Sequence, residues 1–290
     1  MNKPVQRVAA IHDLSGVGRV SLTMIIPILS TMGVQVCPLP TAVLSSHSAY
    51  KDFYFVDLTE HIEGMINHWE KIGYEFDSVY SGFLGSSAQI EMVEYFIRKF
   101  STESSLVVID PVLGDNGKLY KTFDDRMVAE MKKLVKYADV ITPNITEASL
   151  LLDEEYSDNF SIEKIKGWLL KLTSMGPDTA IITSIPEKPE GKRTSVVAYS
   201  KKGKRFWKVS CDYIPAFYPG TGDAFTSVIT GSLLQGDSLP VAIDRAVTFI
   251  SLAIRSTFGH ENDPMEGIMI ERVLDSLKAP VQMGSYELLS

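Results

Sequence analysis

The chain has 290 residues, 45% hydrophobic and 22% charged, a balance that supports a large buried core and excludes a disordered or fibrous protein. Its formal net charge of −8 opposes non-specific binding to nucleic acid or to an anionic membrane, both of which require clustered cations. Two cysteines, Cys37 and Cys211, lie far apart without Cys-x-x-Cys spacing, which points away from a disulfide framework or a cysteine zinc site and toward a reducing cytoplasm. No apolar export signal is read at the start of the chain, and apolar runs such as Met24–Leu29 are too short to span a bilayer.

In chain order, short apolar β-branched runs alternate with segments of helical period. This is the pattern of βαβ units around a largely parallel sheet. Strands are expected at Arg7–Ile11, Val34–Leu39, Ser78–Ser81, Leu106–Asp110, Val140–Thr142 and Thr179–Thr183, nearly all apolar because both sheet faces would be covered. The first helix is expected at Ser21–Met32, with Leu22, Ile25, Ile26 and Leu29 on one stripe and Gly33 as a left-handed cap. Further helices are expected at His61–Ile72, Ser87–Phe100, Asp124–Ala138 and Ser161–Met175. Arg193–Tyr199 and Arg205–Ser210 read as an antiparallel hairpin, followed by a glycine turn and a small-residue helix over Ala224–Gln235. The fold class is therefore α/β, with residues 1–290 as one domain and a small β flap around Tyr50–Leu58.

The sharpest chemical signal is Tyr218-Pro-Gly220-Thr221-Gly222-Asp223, a glycine turn that opens into a helix. Glycines let backbone amides converge, and the helix N-terminus adds positive partial charge, so the turn is suited to an anion. A carboxylate at Asp223 would not suit a pure phosphate receptor, but it could accept a hydroxyl proton during phosphoryl transfer to an alcohol. Helix capping by Thr221 or Asp223 is the competing reading.

Acidic clusters follow two expected strands, where open α/β sheets bind ligands: Asp110-Pro-Val-Leu-Gly-Asp115 and Thr142-Pro-Asn144-Ile-Thr-Glu147. Asp110, Asp115, Asn144 and Glu147 are hard oxygen ligands suited to Mg²⁺ through waters, or alternatively turn and cap residues. Together with an anion cradle they favour a nucleotide site. Gly16-Val-Gly18-Arg-Val-Ser21 imitates a dinucleotide fingerprint, but Ser21 replaces its third glycine and no acidic residue occurs between Val20 and Lys51. P-loop, serine-hydrolase and zincin motifs are absent from the sequence. His47 lies in a polar, small-residue turn, whereas His61 and His68 read as surface or packing residues.

Six segments in order resemble the pyridoxal kinases of the ribokinase-like superfamily: Ser45–Tyr50, Ser81–Ser86, Asp110–Asp115, Thr142–Glu147, Met175–Ser184 and Gly220–Asp223. The resemblance implies ATP-dependent phosphorylation of the 5′-hydroxymethyl group of a B6 vitamer, with Gly220, Thr221 and Gly222 as the anion hole and Asp223 as the base. It implies that Asn144 and Glu147 arrange Mg²⁺ and phosphate, with Asp110 as a further Mg²⁺ contact. Asp110, Asp115, Thr183, Ser184 and Thr221 would lie beside the nucleotide. Ser48, His47 and Phe83 would line the vitamer pocket, and a homodimer is expected; monovalent-cation dependence stays open. One departure stands at Asp13, where pyridoxal kinases carry a serine near the pyridine ring. Asp13-Leu-Ser15-Gly16 instead resembles the hydroxymethylpyrimidine kinases, so Asp13 is expected to select the substrate, hydrogen-bond a pyrimidine, or cap the turn after it. A pyrimidine kinase is the alternative function, and a binding protein without chemistry the third.

Overall fold

The computed structural model describes residues 4–121, 123–157, 160–187, 192–279 and 284–289. Its elements in chain order are β1 (Arg7–Ser15), α1 (Ser21–Thr31), β2 (Gln35–Leu44), β3 (Phe55–Asp57), α2 (Thr59–Lys71), β4 (Ser78–Ser81), α3 (Ser87–Phe100), β5 (Leu106–Ile109), β6 (Gly114–Asp115) and β7 (Lys118–Leu119). There follow α4 (Asp125–Leu134), β8 (Val140–Ile141), α5 (Ile145–Leu152), α6 (Ile162–Ser174), β9 (Thr179–Pro186), β10 (Arg193–Ser200), β11 (Arg205–Asp212), α7 (Thr221–Leu234), α8 (Leu239–Phe258) and β12 (Tyr286–Leu289).

Ten strands form one sheet in the order β12-β11-β10-β9-β8-β5-β4-β1-β2-β3. The run from β9 to β2 is parallel, with antiparallel strands added at both edges. Alternating side chains along each parallel strand feed two cores. Ala9, Ile11, Val79, Val107, Ile109 and Ile141 face α2 to α6, while Val8, Ala10, Tyr80, Val108, Val140 and Ile181 face α1, α7 and α8. Coverage of both faces explains why these strands read as continuous apolar runs.

The expected α/β architecture, the hairpin and the flap are all present, but several bounds move. β1 runs on from the expected Ile11 to Ser15, through an irregularity between His12 and Leu14, so Asp13 lies in the strand rather than in the following turn. β2 likewise extends to Leu44 despite Pro38 and Pro40, since its partners are β1 on one side and only the three residues of β3 on the other. In the flap, Phe55–Asp57 pairs antiparallel with Ala42–Leu44.

The sheet also sets where a ligand fits. From β1 the chain steps to β2 on one side, then returns to build β4, β5, β8 and β9 on the other, so the topological switch lies at the carboxyl end of β1. Asp13 and Ser15 occupy that end.

Candidate active site

At this end of the sheet, α7 begins directly after Gly220, which has φ +82°. A Cβ at Gly220 would lie 2.2 Å from the Arg19 carbonyl oxygen, so glycine is required both by conformation and by the close approach of the loop after β1. Gly222 is glycine for another reason. Its backbone is ordinary helix, and a Cβ there would meet only Asp110 Oδ2, at 3.8 Å. The space in front of it is open.

Asp223, in the first turn of α7, accepts the Ser21 amide on Oδ2 at 2.8 Å. Burial raises its pKa to about 7; the Ser21 amide opposes that rise, and the nearby charge of Asp13 adds to it. Asp13 is 5% exposed and accepts two hydroxyls, Ser21 on Oδ1 at 2.5 Å and Ser15 on Oδ2 at 3.0 Å. Burial raises its pKa too, against those two donors. The carboxylate therefore does not cap the turn after β1; hydroxyls from both flanks hold it.

The second group of carboxylates follows β5 and β8. Asp110 is buried beside Thr226, whose hydroxyl donates to Oδ2 at 3.3 Å, and burial followed by the charge of Asp223 raises its pKa. Asn144 and Glu147 form the reciprocal cap of α5. Asn144 Oδ1 accepts the Glu147 amide at 2.9 Å, and Glu147 Oε2 accepts the Asn144 amide at 2.8 Å. Glu147 Oε1 also accepts the Leu113 amide at 3.2 Å, while Asn144 Nδ2 donates to the Gly114 carbonyl at 2.9 Å. The capping alternative is thus correct for this pair, and the cap also fastens the β6–β7 hairpin to α5. Burial first, and Asp110 next, hold Glu147 well above the usual carboxylate range.

Between these groups and α8 lies a cavity of about 720 Å³. Asp115, Asn144, Thr183, Ser184, Thr221 and Gly222 line one part, and Ile214, Phe217, Val247, Ile250 and Ile254 another. Arg193 is the one Lys or Arg among the described lining residues, and it lies 3.8 Å from Glu187. Asp110, Asp115, Glu147 and Asp223 therefore crowd together with little compensating cationic charge. That donor set fits a divalent cation: Glu147 already gives one acceptor site on each oxygen to a backbone amide, so water-mediated contact suits it. Among the described residues no three His, Cys, Asp or Glu side chains form a metal cage. Such a set would suit a hydrated Mg²⁺ that takes further oxygens from phosphate.

The sequence-predicted vitamer residues are placed less uniformly. His47 is buried; Ala49 donates its amide to Nδ1 at 3.3 Å, so Nε2 carries the proton and donates to the Met265 carbonyl at 2.6 Å. It latches the flap loop to the segment after α8. Ser48 is exposed, and Phe83 stacks on Phe123 with ring centroids 5.6 Å apart. Neither His47, Ser48 nor Phe83 lines the large cavity among its described residues.

Three residues escaped the sequence reading. Ser21 bridges Asp13 and Asp223, and its signal was the near-fingerprint Gly16-x-Gly18-x-x-Ser21, with serine at a position of positive φ. Tyr120, with its ring partly exposed, lies in the field of Glu147, Asp115, Asp110 and Asp223, and lost hydration at its hydroxyl followed by those charges raises its phenol pKa. His12 is buried with neither ring nitrogen hydrogen-bonded, set edge-on to Tyr80 at 4.4 Å, and burial lowers its pKa to about 3.

This arrangement of a glycine turn opening a helix, a raised carboxyl and an acidic cluster at the switch point defines a phosphotransferase of ribokinase-like fold. The phosphomethylpyrimidine kinase family matches residues 32–266, and the chain belongs to that family. It is 56% identical to a phosphomethylpyrimidine kinase candidate from Bacteroides thetaiotaomicron, with a TM-score of 0.97 and coverage of 100% of this chain and 99% of the other. A second crystal form of that protein, 57% identical with a TM-score of 0.96, covers 98% of this chain and 100% of the other and was solved with pyridoxal. Pyridoxal kinase from Lactobacillus plantarum is 30% identical with a TM-score of 0.85, covering 95% of this chain and 97% of its own. Pyridoxal kinase of Arabidopsis thaliana is 29% identical over 244 residues, 79% of this chain and 75% of the relative. Among the described residues no helix is long and apolar enough to cross a membrane.

Carboxylates kept in a buried cluster cost the free protein stability. Asp110→Asn should therefore raise the melting temperature of the ligand-free protein at pH about 8 by a few degrees. The sign follows from the raised pKa, because ionisation is harder in the folded than in the unfolded chain, and stability falls as pH rises through the folded value. Calorimetry at pH about 6 and 8 checks it; the gain should shrink at the lower pH, where the wild-type carboxyl is protonated.

Proposed function

We propose that the chain is an ATP-dependent kinase that phosphorylates the 5′-hydroxymethyl group of a B6 vitamer. The observation that carries the reaction type is Asp223, a raised carboxyl fixed by the Ser21 amide beside the open face of Gly222. The pyridoxal-bound relative at 57% identity and the pyridoxal kinases at 30% and 29% identity support the substrate class.

In this reading the γ-phosphoryl group rests against the amides of Thr221 and Gly222, with Gly220 giving the turn its shape. The alcohol oxygen forms the new bond to phosphorus as the bond to the ADP oxygen breaks, and the alcohol proton passes to Asp223. A primary alcohol is far too weak an acid to be deprotonated by a carboxylate beforehand, so the proton moves late, as the metaphosphate-like group is captured. Asn144, Thr183, Ser184 and Thr221 offer donors to the nucleotide phosphates, and Asp110 and Asp115 lie beside them. The base packs on the apolar lining near Val247 and Ile250. Asp110 and Glu147 would hold Mg²⁺ through water, and bound Mg²⁺ would supply the positive charge that this acid-rich site lacks. Asp13 reads the heterocycle, with His47, Ser48 and Phe83 around it.

The sheet that runs unbroken from β12 to β3 supports reading residues 1–290 as one kinase domain. Tyr54, just before edge strand β3, and Phe55 and Val56 within it are the exposed surface we assign to a homodimer. Two free cysteines support a reducing cytoplasm.

A pyrimidine kinase is the second reading, favoured by Asp13-Leu-Ser15-Gly16 and by the family match itself. A coupled ADP-release assay on pyridoxal, pyridoxamine, pyridoxine and hydroxymethylpyrimidine separates the two. Asp13 adds a sharper expectation. A buried carboxylate interacts more strongly with a cation than it would in water, and pyridoxamine carries an ammonium where pyridoxal carries an aldehyde. kcat/KM should favour pyridoxamine, and Asp13→Ser should shift the ratio toward pyridoxal. Unchanged ratios would remove Asp13 from vitamer selection, and a selective loss of pyrimidine turnover would favour the second reading.

A further inference from the structure

Ser21 opens α1 with φ +48°, a left-handed conformation in which a side chain is strained and glycine is at ease. From this one residue, two hydrogen bonds reach two different carboxylates. The amide donates to Asp223 Oδ2 at 2.8 Å, and the hydroxyl donates to Asp13 Oδ1 at 2.5 Å. The first bond needs only backbone, so glycine would make it with less strain. The second needs the hydroxyl, the one thing glycine lacks. Strained non-glycine residues persist where the surroundings hold them, and they gather at functional sites.

Asp13 and Asp223 come from elements more than two hundred residues apart in sequence, at the end of β1 and the start of α7. Left to themselves two buried carboxylates repel, and each would rotate to find other donors. Ser21 gives each of them a donor from a single rigid point. Charge-assisted bonds of this kind are roughly twice as strong as neutral ones and fix the plane of the carboxylate.

We propose that Ser21 is a positioning residue that ties Asp13 to Asp223, its amide setting the orientation of one carboxylate and its hydroxyl that of the other, so that heterocycle and base are held in one register. The proposal rests on the roles given above to Asp13 and Asp223. It explains why serine occupies a left-handed position, and it makes the hydroxyl, not the backbone, the part that matters to the acceptor substrate.

The test compares Ser21→Gly with Ser21→Ala, using whichever of pyridoxal, pyridoxamine, pyridoxine or hydroxymethylpyrimidine the wild type uses best. Both variants lack the hydroxyl, but only Ser21→Gly relieves the strain and should melt higher than Ser21→Ala. Both should lose roughly 10–100-fold in kcat/KM for the acceptor, the size expected when a reacting group is misplaced by a fraction of an ångström to one ångström. KM for ATP should stay within about twofold, because neither bond touches the nucleotide cavity in this account. In an Asp13→Ala background, Ser21→Gly should have little further effect, since its acceptor is gone. A purely structural serine predicts otherwise: Ser21→Gly would keep wild-type kcat/KM, activity would follow melting temperature across the two variants, or the effects of Ser21→Gly and Asp13→Ala would add. Any of these results overturns the proposal. A wild type that uses only hydroxymethylpyrimidine would overturn the B6 reading while leaving the clamp to be judged by the same variants on that acceptor. A chain with no turnover on any of the four would contradict both.

Discussion

Asp223→Asn is expected to lower kcat by roughly 10²–10⁴-fold, the usual share of general base catalysis, with KM for ATP nearly unchanged. Asparagine keeps an oxygen to accept the Ser21 amide, so α7 and the loop after β1 should stay in place. What disappears is the group that takes the alcohol proton. The pH profile supplies a second readout. Asp223 acts as a base only when ionised, and its pKa is raised to about 7. Wild-type kcat should therefore fall as pH drops through about 7, and the variant should lose that limb. Its residual rate should vary little between pH about 6 and 8. Near-normal turnover in the variant would restore Asp223 to the role of a residue that merely accepts the Ser21 amide.

The other large effect is expected at Gly222. Its φ is unexceptional and its surroundings are open, so Gly222→Val should fold with normal circular dichroism and melt within a few degrees of wild type. The valine methyls would project toward Asp110, into the space assigned to the transferred phosphate. Turnover should fall by at least about 10³-fold, as when oxyanion donors are lost, because the phosphoryl group can no longer approach the helix amides. Gly220 tests the opposite case. Any side chain there meets the Arg19 carbonyl, so Gly220→Ala should lose stability as well as activity. The contrast between the two glycines, one needed for its backbone and one for its emptiness, is the signature of an anion hole rather than of a tight turn. Full activity in Gly222→Val would mean that the phosphate binds elsewhere.

Much of this was legible in the sequence. The parallel strands announce themselves because both faces are buried, which leaves Leu106–Ile109 or Thr179–Ile182 without a polar break. Ordered motifs at the ends of these strands brought Asp115, Asn144, Thr183 and Thr221 to one cavity, with Asp110 buried beside it against Thr226, because strand ends in a parallel sheet point the same way. Other parts were hidden for physical reasons. α8 is an exception, unread although Ala242, Ile243, Ala246, Val247 and Ala253 recur at helical spacing and bury one face. β6, β7 and β12 are two to four residues long, below the length at which alternation can be read. The end of β1 was misjudged because Asp13 and Ser15 look like turn residues, yet tertiary partners hold them in a strand. Ser21 was hidden for the same reason: nothing local reveals that its two donors serve carboxylates at the ends of two distant elements.

In the proposed reaction Asp223 assists phosphate transfer from ATP to the 5′-hydroxymethyl group of a B6 vitamer. Phosphorus NMR of the reaction of the purified protein with MgATP and pyridoxal tests it most directly. A phosphomonoester signal should grow in step with ADP, with no matching release of inorganic phosphate, and should be nearly absent with Asp223→Asn over the same time. ADP accompanied only by inorganic phosphate, or an ester that forms equally well in the Asp223→Asn variant, would contradict it.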